Sequence, residues 1–172
     1  MKQIPKDRIE MAEDFINHLS KDKMIEHVLD FNDEQPKLMQ MMYYASNSIK
    51  EKSLRKRCHA LSLIIIRCYK YYGIKIPSIT ADIIIITKEQ YDKFTALIPT
   101  HKRTYLELFE DFKTLIKQDN LMDYIILKFE GTIDKPVYYE SDNDKKHAVD
   151  EMLIIMLCLN NEIKKHVGDE VN

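Results

Sequence analysis

The sequence predicts a mostly α-helical bundle of about six to seven helices in a single domain, 1–172, and three observations carry that prediction. Apolar residues recur at steps of three and four along most of the chain, the spacing that returns to one side of a helix. Three stretches carry a hydroxyl residue followed three positions later by Glu or Gln, the pattern of a capping box: Ser48 with Glu51, Thr87 with Gln90, and Thr104 with Glu107. The composition, 45% hydrophobic and 31% charged, is that of a globular protein. A chain of this length buries roughly two thirds of its unfolded surface.

Taken in order, Pro5 suits a first helical turn, and Ile9, Ala12, Phe15/Ile16 and Leu19 give an amphipathic helix over 6–19. A second helix follows over 22–31, capped by Ser20 or Asp22, with Met24/Ile25, Val28 and Phe31 inward. After Pro36 a third helix carries Leu38, Met39, Met41, Met42, Tyr43, Tyr44 and Ala45. Ser46, Asn47 and Ser48 compete with the backbone for hydrogen bonds, so a break is expected there. The capping box at Ser48 would then start a central helix that ends at Tyr72–Gly73, ahead of Pro77. Its face Leu54, Cys58, Leu61, Ile65, Cys68/Tyr69 and Tyr72 is for burial, and around Ala60 to Ile66 it is apolar nearly all round.

Residues 83–86, four consecutive isoleucines, read equally as a strand or as part of a helix. Helix is expected over 88–97 from the Thr87 box, and again after Thr104, where Leu108, Phe109, Phe112, Leu115 and Ile116 keep helical spacing. Residues 124–129 are ambiguous in the same way. A strand there would belong to a small two- or three-stranded β element with 83–86 or with 137–139, beyond a turn at Gly131. A last helix over 145–166 has the centre MLIIMLCL, too uniformly apolar to face water, and is predicted to pack on Ala60–Tyr69. No repeat or linker is visible, and 167–172 should fray.

Several function classes find no motif here. With three glycines in the chain, no GxGxxG, P-loop or GxSxG occurs, nor any kinase or zincin signature. Cys58, Cys68 and Cys158 are odd in number, form no CxxC pair and sit in apolar helical patterns, as buried thiols in a reducing compartment would. The charged N-terminus lacks a signal peptide's apolar core, and the longest apolar run, Met152 to Leu159, is far short of a membrane span, so a cytoplasmic protein without a membrane partner is expected. Asp14/His18, Asp144/His147 and Glu162/His166 pair a carboxylate with a histidine. None is the Glu-x-x-His of a di-iron bundle, so neither a metal site nor any other cofactor is expected.

Charge is the one concentrated signal. The chain is −2 overall, yet positions 36–75 hold nine cations against Glu51 alone, while 1–35 and 119–151 each carry nine acids against five and four bases. Lys52, Arg55, Lys56, His59, Arg67 and Lys70 lie opposite the buried face of the central helix, and five cations fall within its first three turns, where the helix dipole is positive. An anion should answer them, either the protein's own acidic segments or a ligand.

The leading expectation is a non-enzymatic interaction module. It would bind an acidic protein surface through Lys50, Lys52, Arg55, Lys56 and His59, with Met41 and Tyr44 of the adjoining segment. Nucleic acid on the same stripe is the alternative, with nearby tyrosines offering stacking surfaces. In residue type, Arg55 and His59 resemble the Arg and His pair of HEPN-type ribonucleases, which implies a phosphodiester-cleaving site. Only three residues separate them here, and the sequence departs from that family at its defining spacing.

Overall fold

The computed structural model describes residues 2–70, 76–96, 105–132, 134–138 and 141–167. Among them are eight α-helices: α1 (Lys6–Asn17), α2 (Lys21–Glu34), α3 (Pro36–Asn47), α4 (Lys52–Lys70), α5 (Ala81–Ala96), α6 (Tyr105–Ile116), α7 (Asp119–Glu130) and α8 (Asp142–Val167). A two-residue hairpin, β1 (Gly131–Thr132) with β2 (Lys135–Pro136), separates α7 from α8. The fold is therefore a mostly α bundle, as the apolar spacing predicts, with one more helix than the upper expectation.

The β element is smaller and elsewhere than expected. Residues 83–86 and 124–129 are helical, in α5 and α7, and the only ladder among the described residues is Gly131↔Pro136 and Thr132↔Lys135. Burial of one face overrode the β preference of branched side chains: Thr87 and Tyr91 are buried in α5, while Ile85 and Ile86 face water. Gly131 turns the chain at φ 76°, and a Cβ there would meet the Lys135 carbonyl oxygen at 2.2 Å.

Two of the three capping boxes are not used. α5 begins about two turns before Thr87, at Thr80, whose carbonyl accepts from Ile84 N at 3.2 Å and whose hydroxyl accepts from Ile83 N at 3.4 Å. Ser48 closes α3 by donating to the Tyr44 carbonyl, and α4 starts a turn later, where the Glu51 carbonyl accepts from Arg55 N at 2.9 Å. The interruption between α3 and α4 falls later than the expected 46–48: Ser46 and Asn47 are the last residues of α3, and 48–51 separate it from α4. The Tyr72–Gly73 stop, the Thr104 cap, Tyr139 and residues 168–172 lie outside the described residues.

α4 and α8 form the central pair. Asp144 Oδ2 accepts from Glu51 N at 2.7 Å, the Cys58 thiol donates to Glu151 Oε2 at 3.1 Å, and the Tyr69 hydroxyl donates to the Met156 carbonyl at 3.4 Å. Contacts that advance together along both chains mean that the two helices run in the same direction. Leu61–Ile66 and Met152–Leu159 are buried on every side, which matches their unbroken apolar sequences. Each large side chain sealed here contributes about 1.5–3 kcal/mol. The three cysteines are buried free thiols.

Two buried glutamines lock the ends of the bundle. Gln35, between α2 and α3, donates through Nε2 to the Ile76 and Pro77 carbonyls (3.2 and 2.9 Å) and accepts from Ile79 N at 2.8 Å. Gln118, between α6 and α7, accepts from Ile4 N at 2.8 Å and donates to the Lys2 carbonyl at 3.1 Å. Both have nearly the same backbone angles, φ −137°, ψ 58° and φ −127°, ψ 62°. Each satisfies an extended segment, both containing an Ile-Pro pair, that has no sheet to bond with.

Candidate functional site

The basic helix α4 is answered from within at its C-terminal end. Lys70 Nζ lies 2.5 Å from Glu34 of α2, and the Arg67 guanidinium sits 3.3 Å over the Phe15 ring of α1. Arg57, in the N-terminal half of α4, is also held from within, donating to the Lys128 carbonyl at 3.4 Å. Glu13 of the acidic α1 pairs with Lys128 of α7 rather than with α4.

The N-terminal end differs. Its backbone is answered by the buried Asp144 carboxylate, an anion at a helix start. Lys50, Lys52 and Lys56 remain exposed, and none makes an ion pair among the described residues. Arg55 is turned inward: its Nε and Nη2 donate to the Ile49 carbonyl at 3.0 and 2.6 Å, tying down the 48–51 connection. Of the four cations named from sequence for this face, three point to solvent and one is a structural tie.

Beside Lys56 an apolar groove of about 440 Å³ opens between α2, α3 and α4. Met24 and Val28, then Met39, Met42 and Tyr43, then Ala60 and Leu63 line it, with Lys56 and His59 along the α4 side. Met41 packs half-buried against the core and Tyr44 is exposed, so neither of the α3 residues named from sequence lines the groove. The groove takes the other face of α3. Met24, Met39 and Met42 are three of nine methionines in the chain, and their convergence from two helices is the signal that sequence could have offered.

His59 is fixed by hydrogen bonds. His59 Nε2 and the buried Ser46 Oγ share a hydrogen bond of 2.6 Å, and the Ser46 hydroxyl also lies 3.1 Å from the Tyr43 carbonyl. Partial burial, with the nearby Arg55 charge, holds the imidazole below its ordinary pKa, so it is neutral at physiological pH.

These placements bear on the chemistry. Arg55 and His59 each bond to local backbone or side-chain groups in the 46–49 connection instead of converging on an open space. His18 Nδ1 lies 2.7 Å from the Asp14 backbone carbonyl, not its carboxylate, and Asp144 caps α4. Among the described residues, no group of three or more His, Cys, Asp or Glu side chains is placed to hold a metal ion, and no helix is long and apolar enough to cross a membrane. Compared with family models, with characterised proteins and with solved structures, the chain gives no match.

Proposed function

We propose that this protein is a non-enzymatic cytoplasmic interaction module that binds an acidic protein partner through the N-terminal half of α4 and the groove beside it. The observation that carries this reading is that Lys56, which lines the groove of three methionines and Tyr43, is joined by Lys52 one helical turn earlier and by Lys50 ahead of the helix, all three exposed and without an ion pair among the described residues. Charge of one sign on a rim steers an oppositely charged partner, and the apolar floor holds it once docked. A nucleic acid would use the lysines but gain little from a floor of Met, Val and Leu.

The test compares the natural chain with a Lys50→Glu, Lys52→Glu, Lys56→Glu variant as bait in quantitative crosslinking from cells. An acidic partner captured by the first and lost from the second is expected. Retention of every partner by the variant refutes the reading. Binding of a single-stranded oligonucleotide that weakens steeply with added salt would put nucleic acid in its place.

A further inference from the structure

We infer that the groove between α2, α3 and α4 seats one amphipathic helix of the partner, its apolar side on the methionines and its carboxylates along Lys52 and Lys56; this rests on the acidic-partner reading above. The groove is walled by helices on three sides, and among the described residues its rim offers no strand edge to which an extended peptide could add. Its floor is Met24, Met39 and Met42, and unbranched thioethers adapt to whatever side chains enter.

Exposed apolar side chains also stand on the adjoining flank of α2: Ile25 and Leu29, each about 100° round the helix from the groove-lining Met24 and Val28, are 49% and 58% exposed, and Tyr43, which lines the groove, is 63% exposed. A compact small molecule filling about 440 Å³ would leave that margin wet, whereas a helix of several turns covers it.

Polarity across the groove fixes the occupant's orientation. Cationic character lies on the α4 side, where Lys56 and, a turn earlier, Lys52 stand free of ion pairs among the described residues. Glu26 of α2 is already paired with Lys23 at 2.8 Å. A helix with Asp or Glu on the flank of its apolar stripe therefore sits with that flank toward α4. His59, anchored through Nε2, presents a ring whose Nδ1 is a donor to such a carboxylate when protonated.

The experiment is a selection from an unbiased display library of random peptides of about 16 residues, about four helical turns, against the natural chain with the triple lysine-to-glutamate variant as counter-target. Selected peptides should carry bulky apolar residues at i, i+3 or i+4 and i+7 with acidic neighbours, and should become helical on binding. They should shift the methyl signals of Met24, Met39 and Met42 and bind a Met39→Glu variant more than about tenfold more weakly. Acidic peptides without helical spacing that leave those methyls unmoved overturn the helix in the groove but keep the acidic partner. Peptides with no acidic bias, or no peptide enriched over the counter-target, overturn both.

Discussion

Both ends of α4 carry cations, and the exposed lysines of one end and the cations of the other meet opposite fates. At the C-terminal end Arg67 and Lys70 are taken up by Phe15 and Glu34, because α1 and α2 lie across that end and place an aromatic face and a carboxylate within reach. At the N-terminal end α2 and α3 stand apart, the space between them is the methionine-lined groove, and Lys50, Lys52 and Lys56 face water. The contrast teaches that a basic stripe in sequence is not one object. Its charges become internal or available according to which neighbour covers each turn.

Beneath the surface the ends differ as well. The N-terminal half rests on Glu151, a buried carboxylate of α8 that accepts from Cys58, whose Oε1 has no partner among the described residues. The C-terminal half rests on Tyr69 and aliphatic side chains. Burial pushes the Glu151 carboxyl up from 4.5 to about 7. A folded-state pKa raised above the unfolded one gives stability that is full below about 4.5 and is lost as pH rises through about 7. Denaturant unfolding from pH 4.5 to 8 should show a Glu151→Gln variant gaining about 3 kcal/mol on the natural chain; parallel curves for the two would break this side of the comparison.

On the surface, the Lys50, Lys52, Lys56 to Glu variant should bind partner more than about tenfold more weakly while keeping its melting midpoint, since rim charges act on association rather than on the fold. Lys70→Glu should do the reverse and leave binding unchanged. Its effect on stability should be about 0.2–1 kcal/mol, the scale of a half-exposed ion pair. If the two variants lose binding equally, the ends of α4 do not differ in function.

Asp144→Ala should cost about 1 kcal/mol by removing the acceptor at the start of α4, and hydrogen exchange should rise at Glu51 to Lys56 more than at Arg67 to Lys70. The smallest effect concerns His59. Partner affinity should increase modestly from pH 7.5 to 5.5 as the ring takes a proton opposite a carboxylate, and His59→Gln should flatten that slope in a titration series.

What sequence disclosed follows from which interactions are local. The buried face from Leu54 to Tyr69 and the packing of MLIIMLCL on α4 were legible, because periodicity and apolar runs report burial directly, and the separation of α3 from α4 was legible to within two residues. Helix starts were less so: Thr87 and Ser48 have the right neighbours in sequence, yet tertiary packing extends α5 back to Thr80 and lets Asp144, 93 residues away, complete the start of α4. The groove was half legible. Its lysines were visible as charge, but Met24, Val28, Met39 and Met42 read as core until the gap between α2 and α3 is seen. Arg55 read as a solvent-facing cation because nothing local marks Ile49 as its acceptor.

The shared direction of α4 and α8 has a kinetic corollary. Two helices joined by a short turn can zip together as soon as both exist, but a pair running the same way has to wait for the chain to travel back to its starting level, and here that return journey spans α5, α6, α7 and the hairpin. During synthesis the oily flank of α4 therefore stays uncovered until α8 leaves the ribosome, which makes that interval one of exposure to aggregation and to chaperones.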